Sequence, residues 1–114
     1  MLELRGRKVF LALGVTDMRK AAQGLSILVE SQLEMALFSG DLFCFCNRRR
    51  NLIKILVWDQ NGFWLFQKRL EKERFCWPRS DREVAEITCE KLSWLLQGLD
   101  IEQAHQRLEY QVTF

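Results

Sequence analysis

The chain has little proline, glycine or histidine, and it has no long apolar run. Its 114 residues include one proline, six glycines and one histidine, which leaves no room for a low-complexity linker. No apolar segment approaches the roughly 18 to 20 residues that a membrane-spanning helix needs. Because 48% of the residues are hydrophobic and the length suits one domain, we expect a single globular domain over 1–114 and no membrane partner.

The cysteine pattern is poor in metal-site features. Cys44 and Cys46 would share one face of a strand, but Cys76 and Cys89 are far apart and supply no second close pair. The first residues also lack the apolar core and cleavage site of a signal peptide. We therefore expect free thiols in a cytoplasmic protein, with no metal and no cofactor.

Charge is divided unevenly along the chain, although the formal net charge is only +2. Residues 1–79 carry an excess of Lys and Arg, whereas residues 80–114 carry an excess of Asp and Glu. A basic body with an acidic C-terminal segment suits a polyanionic partner such as DNA.

Hydrophobic patterning predicts an α+β fold. Apolar segments at 8–13, 42–46, 52–58 and 63–69 are bounded by turn residues and are predicted as strands, and the last three form an antiparallel meander. The alternating segment 108–114 predicts a further strand, and the charged segment 71–86 a long connection. The expected architecture is an antiparallel sheet of four or five strands with two main helices packed on it.

Two segments carry the apolar spacing of helices. The first is predicted over 18–35, with Thr16 or Asp17 as its N-cap. The second begins after Thr88, a good N-cap, and ends near Gln97, where Gly98 suits a left-handed stop.

The most distinctive candidate site is a basic turn. Arg48, Arg49 and Arg50 are consecutive in the turn between two predicted strands, without an acidic residue to offset them. The meander would return Lys68 and Arg69 to the same end of the sheet. We therefore predict a five-cation patch that suits DNA phosphates or an acidic partner.

A second candidate anion site lies at the start of the first predicted helix. Arg19 and Lys20 would lie in its first turn, where free amides and the helix dipole favour anions. The alternative is that both cations are solvated or paired with acids such as Asp17.

Several aromatic residues have alternative interpretations. Phe63, Trp64 and Phe66 could stack on bases, but core packing is favoured because most large aromatics are buried. Trp94 lies off the leucine stripe of the second helix, so it marks either an interface or a wider buried face.

Catalytic groups are not indicated. Asp17, Asp41 and Asp59 could hold a metal pair in a nuclease, but each suits a capping or turn position. His105 has no nucleophile at a recognisable spacing. We therefore expect that the protein is not an enzyme.

The order of several short motifs resembles a known family. These motifs are Gly14–Lys20, Gly24-Leu25, Phe38-Ser39-Gly40, Asn47–Arg50, Ile53-Lys54, Trp58-Asp59, Gly62-Phe63, Lys68–Glu71, Arg74-Phe75, Trp77-Pro78 and Leu92–Gly98. Over about residues 8–101 they resemble the TnpB-type accessory protein, the second open reading frame of the insertion-sequence sixty-six family. Ala21 and Ala22 depart from the glycine and aromatic usual after the Arg-Lys pair, Cys46 replaces a more polar residue, and 102–114 is a C-terminal extension.

This resemblance implies a bacterial protein that supports DNA transposition beside a separate transposase without being a catalyst itself. DNA binding through the basic turn is the expected role. The alternative is a protein-interaction module that binds the transposase or another accessory protein of the element.

Overall fold

The computed structural model describes residues 3–101 and contains one five-stranded sheet with helices on both faces. The strands are β1 (Val9–Ala12), β2 (Leu42–Cys46), β3 (Leu52–Asp59), β4 (Gly62–Arg69) and β5 (Val84–Ile87). The helices are α1 (Ala22–Ile27), which continues as a π-helical turn over Leu28–Gln32, and α2 (Cys89–Leu96), and a short 3₁₀ turn spans Leu37–Ser39. The fold is α+β, as predicted.

The sheet is mixed, so the prediction of an antiparallel sheet is wrong in one pairing. The strand order is β4-β3-β2-β1-β5, and the meander of β2, β3 and β4 is antiparallel as expected. However, β1 pairs with β2 in parallel, with Val9 opposite Leu42. This follows from the connection, because the chain crosses one face of the sheet through α1 and returns to the end where β1 began.

Strand β5 was not predicted from the sequence. It pairs antiparallel with β1, with Val84 opposite Ala12, and forms the second edge of the sheet. Its four residues include the exposed Glu86 and lie within a charged segment, so their apolar pattern is short and weak. The predicted strand over 108–114 lies outside the described residues.

The first helix begins later than predicted. Its N-cap is Ala21, without a side-chain cap, instead of Thr16 or Asp17. The carboxylate of Asp17 binds the backbone and guanidinium of Arg19, so the preceding residues form a separate turn. By contrast, α2 begins as predicted, with the Thr88 hydroxyl accepting a hydrogen bond from the amide of Lys91, and Gly98 is left-handed after it.

The sheet separates two hydrophobic cores. On one face, the inward residues of β1, β2 and β3 pack under α2 together with Phe75 and Trp77. On the other face, Phe43 and Phe45 pack under α1 with Leu25. Because both faces of the central strands are covered, β2 is buried along its whole length. The hairpin between β2 and β3 is thereby held at one end of a rigid sheet.

Candidate nucleic-acid interface

The loop that carries the three arginines is clamped by an asparagine. Asn47 Oδ1 accepts hydrogen bonds from the amides of Asn51 at 3.0 Å and Leu52 at 3.1 Å. Asn47 Nδ2 donates to Asn51 Oδ1 at 2.7 Å. The left-handed residue of the loop is Arg50, with φ of 59°, and neither asparagine has a positive φ. Their side chains instead close the loop.

The arginine side chains of this loop form no hydrogen bond or ion pair with another side chain in the described part of the chain. Arg48 and Arg49 are exposed, and Arg50 is partly buried. Within residues 3–101, no carboxylate lies within ion-pair distance of their guanidinium groups. Since the asparagine clamp holds the loop and no described carboxylate pairs with its arginines, the loop presents positive charge at a fixed position.

The two cations at the end of β4 lie beside this loop, but their side chains point to opposite faces of the sheet. Arg69 is opposite Leu52 and Lys68 is opposite Ile53, so both lie at the hairpin end as the meander predicted. Successive side chains of a strand point to opposite faces. Lys68 Nζ donates to the carbonyl of Leu96 at 2.8 Å and so stabilises the end of α2, while Arg69 lies on the α1 face.

The Gly14–Lys20 motif also reaches this end of the molecule. The amide of Thr16 donates to the carbonyl of Cys46 at 3.0 Å, which ties the motif to the last residue of β2. Arg19 pairs with Asp17 at 2.7 Å, and this contact holds the pKa of Asp17 well below its usual range. Arg19 and Lys20 precede α1, so the predicted placement in its first turn is wrong.

Lys54 on β3 binds the backbone of the Gly14–Lys20 motif, a contact that the sequence analysis did not predict. Its side chain is only 9% exposed, and its Nζ donates to the carbonyls of Met18 at 2.9 Å and Lys20 at 3.0 Å. A lysine within an apolar strand is the signal that could have indicated a buried polar contact, because a buried ammonium needs acceptors. Lys54 therefore links β3 to the turn that carries Arg19 and Lys20.

A cleft of about 270 Å³ opens between the hairpin and the segment that follows Trp77. Arg48 and Arg50 line one side, and Arg79 lines the other. Arg79 was not singled out in the sequence because it lies far along the chain in an irregular segment. The cleft is the point at which the hairpin and this segment meet.

The acidic and thiol groups do not converge on a catalytic centre in the described part of the chain. Asp17 lies at the hairpin end, whereas Asp41 and Asp59 lie at the opposite end of the sheet. Burial raises the pKa of the Cys46 thiol to about 12 and that of Cys44 further still. Residues 3–101 hold no group of three His, Cys, Asp or Glu side chains that could bind a metal ion.

The aromatic residues of β4 divide between core and surface. Phe63 packs edge-on against Trp58, with ring centroids 5.0 Å apart. Trp64 and Phe66 are 46% and 41% exposed and lie stacked with nearly parallel rings, so the expectation of core packing is wrong for this pair. The physical reason is that β4 is an edge strand. Trp94 is half-buried on α2.

The fold and this interface define a small α+β protein with a basic hairpin whose arginines form no ion pair within residues 3–101. The chain belongs to the IS66 Orf2-like protein family, which matches residues 7–106. This membership confirms the resemblance and supports an accessory role in transposition. The family is an accessory-protein family and not a known enzyme family.

Two curated relatives are similar over most of their length. Uncharacterized protein y4hO of Sinorhizobium fredii (strain NBRC 101917 / NGR234) is 38% identical over 93 residues, covering 82% of this chain and 81% of that protein. Uncharacterized protein y4jC of the same strain is 32% identical over 96 residues, covering 84% and 82%. No solved structure matches the chain. No helix in the described range is long and apolar enough to cross a membrane.

Proposed function

We propose that this protein supports transposition by binding DNA phosphates with its basic hairpin. The observation that carries the proposal is the clamped loop on which Arg48, Arg49 and Arg50 form no ion pair with any carboxylate of residues 3–101. Arginine suits this role because its planar guanidinium donates two parallel hydrogen bonds to a phosphate. Arg69 and Lys20 extend the positive surface, whereas Lys68 and Arg19 have internal partners that must be displaced before they contact DNA.

The test is a fluorescence-anisotropy titration of element-end and random duplexes at two salt concentrations. Each cation that contacts a phosphate contributes about one unit to the slope of log affinity against log salt concentration. The Arg48→Ala/Arg49→Ala/Arg50→Ala variant should therefore lose about three units of slope. Its affinity should fall at least about tenfold at low salt, which corresponds to ~1.4 kcal/mol.

A matched control removes two cations from the opposite end of the sheet. Arg5 and Lys8 are exposed and precede β1, and Arg5→Ala/Lys8→Ala should leave both affinity and salt slope close to those of the wild type. Equal loss in both variants would indicate a general charge effect, and absence of binding at low salt would reject the proposal.

A second candidate function is protein interaction through the edge strand β4. The stacked and exposed Trp64 and Phe66 favour it, because a contiguous exposed aromatic surface is typical of interfaces. The partner would be the transposase or another accessory protein of the same element. Co-purification that is lost in Trp64→Ser/Phe66→Ser and retained in the triple arginine variant would favour this function over DNA binding.

A further inference from the structure

The cleft beside the hairpin combines cations from two distant parts of the sequence. Arg48 and Arg50 come from the loop after β2, and Arg79 comes from the segment before β5. The rest of its lining includes Leu13, next to the end of β1, and Trp77. A cleft lined by charges of one sign focuses their field, so an anion inside the cleft would interact more strongly with the arginines than one at the open surface.

The charge of the cleft is one-sided. Among the described residues, no Asp or Glu lines it. A larger cleft adjoins it and shares Arg50, Trp77 and Arg79, but Arg48 does not line this second cleft, whereas Glu86 and Asp100 do. Three arginines without an acid best match a group that carries two negative charges and several acceptor oxygens, as a phosphate monoester does near neutral pH.

The two walls of this cleft are fixed relative to each other. The amide of Phe75 donates to the carbonyl of Arg50 at 2.7 Å, which ties the segment to the hairpin. Two residues further along, Trp77 Nε1 donates to the carbonyl of Ala12 at 3.1 Å in the buried core. Arg79 is therefore carried by a segment with two anchors, and the site is largely preformed.

The size of the cleft limits what can enter it. A volume of about 270 Å³ is slightly below that of ordinary small-ligand pockets and suits one phosphate with part of its nucleotide. A DNA duplex is wider than the cleft, so its backbone phosphates contact only the rim. A strand end is narrower than the duplex and can enter, and its phosphate is a monoester that carries more charge than a phosphate inside the strand.

We propose that this cleft binds the terminal phosphate of a DNA strand through Arg48, Arg50 and Arg79, an inference that rests on the DNA-binding function proposed above. The hairpin contacts the backbone, and the cleft recognises the end. Arg49 lies outside the cleft lining and belongs to the backbone contact alone.

The experiment compares two duplexes with the same short 5′ overhang, one ending in a 5′-phosphate and the other in a 5′-hydroxyl. The phosphorylated duplex should bind about tenfold more tightly, because charged hydrogen bonds are among the stronger polar contacts. In Arg79→Ala this preference should fall below about twofold. In Arg49→Ala both duplexes should bind more weakly and the preference should persist, and Arg5→Ala should change neither quantity.

Two further probes distinguish a strand end from a free phosphate. Thymidine 5′-monophosphate and inorganic phosphate are titrated while the Trp77 indole N–H signal is followed by NMR, with thymidine as the uncharged comparison. A shift of the Trp77 signal with thymidine 5′-monophosphate and none with thymidine, together with tighter binding of the phosphorylated duplex than of the hydroxyl duplex or either small anion, supports the proposal. If either small anion binds as tightly as the phosphorylated duplex, the assignment to strand ends is wrong.

The remaining outcomes separate this inference from the proposed function. Equal, salt-dependent binding of the two duplexes, with no effect of Arg79→Ala, overturns the cleft assignment and leaves backbone binding intact. Absence of binding to both duplexes rejects the DNA-binding function together with the inference that depends on it.

Discussion

The two ends of the sheet use their charged side chains in opposite ways. At the end of the sheet where β1 and β2 begin, Arg7 Nη1 donates to the carbonyl of Gly40 at 2.6 Å and Arg7 Nη2 lies 3.9 Å from Asp59 Oδ1. Asp59 also accepts from Trp64 Nε1, and Asp41 accepts from the amide of Lys8. These charges therefore bind elements of the fold to one another.

At the hairpin end, asparagine side chains and backbone carbonyls hold the loop between β2 and β3, and the arginine side chains are not needed for this. Asn47 closes the loop, and the carbonyl of Arg50 accepts from Phe75. The guanidinium groups of Arg48 and Arg49 take no part in this framework within the described residues. Neutral groups therefore hold the hairpin in place, whereas charged groups link the elements at the other end of the sheet.

The largest expected effect concerns the asparagines of the two hairpins. Asn47→Ala removes three hydrogen bonds, each worth about 1 kcal/mol, so the free energy of unfolding should fall by roughly 2–3 kcal/mol. DNA affinity should fall as well, because the arginines lose their fixed position. Urea unfolding followed by circular dichroism measures the first effect, and anisotropy measures the second.

The matched control is Asn61→Ala in the turn between β3 and β4. Asn61 is exposed, and its side chain forms no hydrogen bond within the described residues. Its substitution should change the free energy of unfolding by less than about 0.5 kcal/mol. Similar losses in both variants would mean that the clamp at Asn47 has no special role.

A smaller effect should separate the arginines of the two ends. Arg7→Ala should lower the free energy of unfolding by about 1–2 kcal/mol, because it removes a charged hydrogen bond from a partly exposed position, and it should leave DNA affinity unchanged. Arg49→Ala should do the reverse, with little change in unfolding and weaker DNA binding. Two variants that alter the same property would contradict the division between the ends.

The sequence was sufficient for the meander and for its consequence at the hairpin end. Turn residues at 47–51 and 59–62 set the strand directions, and these directions placed Lys68 and Arg69 beside the arginine loop. Local patterns also identified Thr88 as the cap of α2, because capping depends on neighbouring residues alone.

Features that depend on distant contacts could not be predicted in the same way. The pairing of β5 with β1, the burial of Lys54 under Met18 and the approach of Arg79 to the hairpin each join segments far apart in the chain. The late start of α1 has a local cause, but the sequence alone did not show which of two local contacts Asp17 would form. Asp17 could cap a helix or bind Arg19, and its contact with the guanidinium prevailed.

The smallest expected effect concerns Asp17 and Arg19, the one ion pair that the structure describes at the hairpin end. The Arg19 guanidinium, bonded to the Asp17 carboxylate, holds the pKa of Asp17 well below its ordinary value of about 3.9. A carboxyl whose pKa is lower in the folded chain stabilises the fold above its unfolded pKa. This contribution is lost as the pH falls through the lower, folded pKa.

Both side chains are exposed, so the stabilisation should be slight; it is fully present above about pH 4 and is lost as the pH falls below that value. Carboxyl NMR titration should show the pKa of Asp17 rising toward its ordinary value in Arg19→Ala. In Asp17→Asn, the released Arg19 should join the basic surface, with DNA binding about twofold tighter and steeper in its salt dependence. Unchanged binding would show that Arg19 points away from the DNA, and the basic surface would then end at the hairpin.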